Sequence, residues 1–242
     1  MRVLVVTAVP AERDAVTRAF GGACAIRAVP GAELHRAGPF DVLAAGAGPA
    51  AAAAATAFGL ASAAAPGTPD AASAPYRLVV SAGIGGGFAP AAPLGTLVVA
   101  SDIVAADLGA ETPDGFVPVT GLGFGRDRFP PPPDLVRAVA AATGATTGPV
   151  LTVSTVTGSA ARTTALLTAH PGAVAEAMEG FGVAEAAARL GGVPVLEIRA
   201  VSNTVGPRDR AAWRIGDALT ALTDAFGRLT PVLEGWITDD RD

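Results

Sequence analysis

Glu12, in the stretch AVPAERD, follows Pro10 at the start of an apolar-periodic segment, and Glu179, in AMEGFG, lies between Met178 and Gly180 with Phe181 beside it. Either acid could do no more than complement a helix dipole from the first turn, an effect worth about 0.3 to 1 kcal/mol. Glu179 has only neutral neighbours, so a buried carboxylate there needs hydrogen-bond donors from something other than a nearby basic side chain. The hydroxyls of a ligand would serve. Further along, VLEIRAVSN places Glu197 and Arg199 on one face of a strand, as a buried ion pair would have them, and ends on Asn203, which either caps a turn or offers a ligand both a donor and an acceptor. The run SAGIGGGF, from Ser81 through Gly83 to Phe88, reads as a tight loop whose amides could approach an anion or a sugar. It lacks the G-x-G-x-x-G spacing, which argues against a dinucleotide site.

These residues share a position in the chain's rhythm. Short β-branched runs at 2–6, 41–46, 77–83, 95–101, 150–156 and 193–202 alternate with helical stretches at 11–20, 49–63, 134–143, 159–169, 180–190 and 211–228. Such alternation predicts a three-layer α/β sandwich around a mixed, largely parallel central sheet, in one domain spanning 1–242. Ligands then sit beyond the carboxyl ends of the strands, where Glu12, SAGIGGGF, STVTGS and Asn203 all fall. The segments 65–75 and 124–134 read as surface loops, and no internal repeat is evident.

Composition narrows the chemistry. The net charge of −5, with seventeen Arg and no Lys, argues against nucleic acid as a partner. Cys24 is the one cysteine, and with only His35 and His170 beside it no metal-ligand cluster is expected. The apolar run before Pro10 is shorter than a signal peptide requires, so a cytoplasmic location is expected. The Ala-rich stretch opening at Gly46, Gly48 and Pro49 reads as a buried helix rather than a membrane span.

Four motifs in order, AVPAE, SAGIGGGF, AMEG and IRAVSN, resemble the purine nucleoside phosphorylase and methylthioadenosine nucleosidase superfamily over about residues 2 to 229. Within it, EIRAVSN followed by GPRDRAAW is most similar to the futalosine hydrolases. The resemblance implies that Glu12 is the general base for water, that Met178 and Glu179 hold the ribose, that Ser81, Gly83 and Arg199 lie around the water and sugar, and that Val156 and Thr157 flank the base. Phe181 either walls the pocket or is a core aromatic. Adenine-specific nucleosidases carry Asp where this chain has Asn203, and often a second Glu where it has Ala177. An Asn cannot protonate a base, but its amide suits the O6 and N7 of a 6-oxopurine.

Loss of the base from a ribosyl C–N bond develops oxocarbenium character on the sugar, as in glycoside hydrolysis. By the same resemblance, carboxylates near the ribose would favour it, Asn203 would steady the departing base, and Glu12 would take a proton from water. The resemblance therefore implies hydrolysis of futalosine to hypoxanthine and dehypoxanthine futalosine, a step of menaquinone biosynthesis. No cofactor or metal, a small nucleoside as the only ligand, no membrane, and a homodimer or higher homo-oligomer are expected with it. Arg208 and Arg210, with Trp213, are candidates for the substrate's aromatic carboxylate, with Arg126 and Arg128 behind them; an exposed helix start neutralised by Asp209 is the plainer reading. A phosphorolytic enzyme using Arg13, an adenine-type nucleosidase, and a nucleoside-binding regulator without activity are the alternatives.

Overall fold

The computed structural model describes residues 2–21, 24–64 and 76–239. Among them, strands β1 (Val3–Thr7), β2 (Ala25–Val29), β3 (Ala32–Ala37), β4 (Phe40–Ala44), β5 (Leu78–Gly87), β6 (Leu97–Ala105), β7 (Gly109–Thr112), β8 (Gly115–Pro118), β9 (Arg128–Phe129), β10 (Thr146–Thr152), β11 (Ala175–Ala177) and β12 (Val195–Thr204) alternate with six helices. The helices are α1 (Pro10–Arg18), α2 (Pro49–Ala64), α3 (Pro133–Thr143), α4 (Ala160–Ala169), α5 (Gly180–Arg189) and α6 (Ile215–Asp239).

All strands but β7 and β8 form one mixed sheet, ordered β11-β10-β6-β12-β5-β1-β4-β3-β2, with β9 on the edge of β6. β5 runs parallel to both β1 and β12, as the predicted alternation requires. Period two in β1 explains the three layers: Leu4 and Val6 enter one core with α2 and α5, while Val3 and Val5 enter the other with α1, α3 and α6. The Ala side chains of α2 favour helix and are small enough to let it sit closely on α5. No helix among the described residues is long and apolar enough to cross a membrane.

Besides short strands outside the predicted runs, three features near the site differ from the expectation. SAGIGGGF is not a loop: β5 continues through it to Gly87, because its glycines accept close neighbours on both sides. The three-residue strand β11 pairs with β10 and also, antiparallel, with β5, closing β5, β12, β6, β10 and β11 into a ring at one end of the sheet. Helix α6 starts at 215 rather than 211, after a 3-10 turn at Arg210–Ala212 in which the Ala211 amide donates to Asp209, and it runs through Pro231 because Leu229, Leu233 and Ile237 stay buried. The segment 65–75 lies outside the described residues; 124–134 is a loop broken by β9 and the start of α3.

Candidate active site

The carboxyl ends of β1, β5 and β12, the link from β10 to α4, and the turn from β11 into α5 surround a cavity of about 330 Å³. Glu12, Val156, Thr157, Met178, Glu179, Asn203 and Arg208 line it, together with Trp213. Ser81, Gly83, Phe181, Arg199 and Arg210 do not.

Glu12 stands on the first turn of α1, but it does more there than meet a helix dipole. Oε2 accepts from the amides of Ala8 (2.9 Å) and Val9 (3.1 Å), and Oε1 accepts from the amide of Ile84 (2.8 Å). Gly83 makes this possible, since a Cβ there would come within 2.6 Å of Oε1. Burial pushes the carboxyl above its ordinary value, against the pull of the Ile84 bond and of Arg199. The result is a fixed base whose proton affinity is higher than that of a surface acid.

Glu179 caps α5, where the three residues of β11 deliver the chain. Its Oε1 accepts from the amide of Gly48 at 3.2 Å, and its Oε2 from Arg199 Nη1 at 3.1 Å. The expectation of donors other than a basic side chain is therefore corrected. Arg199 is twenty residues away in sequence and reaches Glu179 from β12, a contact that neighbouring residues do not reveal.

Arg199 is fully buried beneath the cavity. Its Nε donates to Glu197 Oε1 (2.9 Å), its Nη1 to Glu179, and its Nη2 to Ser81 Oγ (2.9 Å). Burial alone would lower its pKa, but Glu197, Glu179 and Glu12 outweigh that and raise it. Glu197, wholly enclosed, is pushed up by desolvation despite its pairing with Arg199. Arg199 and Ser81 are thus the support of the acid pair. Phe181 packs its ring 5.3 Å from that of Phe129, as a core aromatic does.

Asn203, which also lines the cavity, is half-buried; its Oδ1 accepts from Ser202 Oγ at 3.0 Å, and its Nδ2 makes only a long bond to Thr204 O at 3.3 Å. Its amide is therefore only lightly engaged. Thr157 is buried and binds Glu176, a cavity residue that sequence reasoning missed. The available signal was its position three residues before Glu179, in a strand too short to show a period.

At the mouth, Arg208 lies 5.4 Å and Arg210 5.9 Å from the centre of the Trp213 ring. Asp209 is occupied in capping the 3-10 turn. Arg126 stacks on Phe129, and Arg128 pairs with Asp102 and Asp127; neither lines the cavity. Arg13 pairs with Asp14 outside it, so Arg208 is the one basic residue among the described lining residues. Among the described residues there is no group of three or more His, Cys, Asp and Glu arranged to hold a metal.

The chain is similar to known proteins over its whole length. The family model described as the phosphorylase superfamily matches residues 3–234. A futalosine hydrolase of Streptomyces coelicolor is 65% identical over 242 residues, covering 100% of both chains. Among solved structures, the native futalosine hydrolase of Helicobacter pylori superposes with a TM-score of 0.78 at 16% identity, over 97% of this chain and 98% of that one. The 5'-methylthioadenosine/S-adenosylhomocysteine nucleosidase of Neisseria meningitidis, in complex with methylthio-immucillin-A, gives 0.76 at 19%, over 97% and 99%. At such identities the structures speak for the fold alone.

Proposed function

The chain belongs to the phosphorylase superfamily and, by its full-length relative, to the futalosine hydrolase branch of it; on that premise we propose that it hydrolyses the N-glycosidic bond of futalosine, releasing hypoxanthine. One observation carries the reading. A buried carboxylate with raised proton affinity, Glu12, lines one cavity with a second carboxylate, Glu179, and with the Asn203 amide, which can donate to a 6-oxopurine.

In this scheme Glu179 takes the ribose hydroxyls, oriented by Gly48 and Arg199. Met178 packs on the sugar. As the C–N bond lengthens, the two carboxylates favour the positive charge growing on the ribose, and the Asn203 amide donates to O6 or N7 of the departing base. Glu12 removes a proton from the attacking water.

Phosphorolysis is the less favoured course, because the Glu12 end of the cavity offers a phosphate no exposed cation: Arg13 is paired outside it and Arg199 lies beneath it. At the mouth, Arg208 and the face of Trp213 suit an aromatic carboxylate beyond the ribose. A homodimer or higher homo-oligomer is part of the proposal. Exposed Leu108, Phe116, Leu122 and Phe124 around the β7–β8 hairpin supply apolar surface for it. Incubation with futalosine, inosine and methylthioadenosine, with and without phosphate, tests the reading. Free base from futalosine in both conditions is expected.

A further inference from the structure

One carboxylate in the cavity has no part in the scheme above. Glu176 lies in the wall with only 5% of its surface exposed. Thr157 supplies both its hydrogen bonds, the amide to Oε1 at 2.8 Å and the hydroxyl to Oε2. No basic side chain among the described residues comes within ion-pair distance of it. Arg162 and Asp107 act on it only from farther off, with opposite effect. A carboxylate offers about four acceptor positions, and Thr157 takes two. A buried acid so placed gains from one more donor, and the cavity is where that donor would come from.

The sheet register says what the donor faces. Glu176 on β11 is paired with Gly86 of β5, and Asn203 on β12 is paired with the same glycine from the other side. The two residues therefore stand about two strand spacings apart, roughly 10 Å between backbones. Between them Gly86 lines the cavity without a side chain; a Cβ there would come 3.1 Å from Asn203 Nδ2 and closer still to Val205. The bare floor flanked by an amide and a carboxylate suits a flat heterocycle hydrogen-bonded on both sides.

We infer that Glu176 is a specificity-determining residue for the base: its carboxylate accepts the N1–H of a 6-oxopurine while Asn203 serves O6 and N7. This rests on the nucleosidase reading of the cavity. A 6-aminopurine presents a bare lone pair at N1, which faces the carboxylate without a proton between them and is rejected. Thr157 keeps both oxygens in place, so the acceptor is set before the base arrives.

The test is direct calorimetric binding of free hypoxanthine, 1-methylhypoxanthine and adenine to the wild-type protein, to Glu176→Gln and to Thr157→Val, beside an assay of futalosine cleavage. Wild type is expected to bind hypoxanthine at least about tenfold more tightly than either of the others, the scale of a hydrogen bond to a charged group. Glu176→Gln puts an N–H donor within reach of N1, so hypoxanthine weakens while adenine strengthens, a crossing that mere structural damage does not produce. Thr157→Val keeps the order of preference with a smaller margin. Equal wild-type affinity for hypoxanthine and 1-methylhypoxanthine overturns the inference without need of any variant, as does parallel weakening of all three bases in Glu176→Gln. If futalosine is not cleaved, the nucleosidase reading fails on its own; the base preferences still decide the role of Glu176.

Discussion

Arg199 donates to Glu179 Oε2 at 3.1 Å from beneath a cavity that Arg199 itself does not line. The guanidinium is wholly enclosed and also holds Glu197 at 2.9 Å. The acid that would grip the sugar is thus oriented by a cation with no route to the substrate.

Replacing Arg199 by Met is expected to destabilise the fold by about 3 to 5 kcal/mol, because Glu197 is left buried without its partner. The double variant Arg199→Met with Glu197→Leu should recover much of that loss, while activity stays low because Glu179 is still unsupported. Urea unfolding of the two variants checks this. A double variant no more stable than the single one would argue against a coupled pair.

Glu12→Gln is expected to lower turnover by at least about 10²-fold, the scale of a lost general base. The base works when ionised, and its pKa is raised by burial, so wild-type activity should fall with decreasing pH at a point above the usual carboxylate range. The stability effect has the opposite sense. A group whose folded pKa is raised contributes stability below its unfolded pKa, and that contribution disappears as pH rises through the folded value. The fold therefore gives up stability to keep Glu12 charged at neutral pH. A pH–rate profile unchanged in Glu12→Gln would remove it from the reaction.

Glu179→Gln should also lower turnover by about 10²-fold or more, since an amide accepts ribose hydroxyls more weakly than a carboxylate and leaves Arg199 uncompensated. Steady-state kinetics with inosine, which has no group beyond the ribose, isolate this from effects at the mouth. Near-normal turnover would leave Glu179 only the electrostatic role of an acid at a helix start.

Arg208→Ala is expected to raise KM for futalosine relative to inosine, and Arg210→Ala to do so less, because only Arg208 reaches the cavity. Both Arg side chains are exposed, so the effect should be modest and should shrink with added salt. An unchanged ratio in Arg208→Ala shows that this segment does not read the carboxylate.

The elements that position the site were legible wherever a periodic pattern ran long enough. All six helical stretches appear, and the strands at β1, β4, β5, β6 and β12 follow the β-branched runs, whereas β10, at Thr146–Thr152, begins four residues before the run at 150–156. The hairpin strands β2 and β3 were missed because AIRAV and AELHRA mix charges into an edge half open to solvent. β11 was missed because three residues carry no period. SAGIGGGF was misread because glycine marks both turns and strands whose neighbours come too close for a side chain. Glu12, Glu179 and Asn203 could be picked out as strand-end residues. Their partners, Ile84 for Glu12 and Gly48 and Arg199 for Glu179, come from other elements and became visible only with the fold.

Water, rather than phosphate, as the nucleophile at the ribosyl carbon is tested by turnover of futalosine in water enriched with oxygen-18, with mass spectrometry of the sugar product in the first turnovers, before its anomeric oxygen exchanges with solvent. Free hypoxanthine and a ribosyl product carrying the heavy oxygen are expected, at a rate that added phosphate leaves unchanged. An unlabelled sugar phosphate formed only when phosphate is present would contradict it.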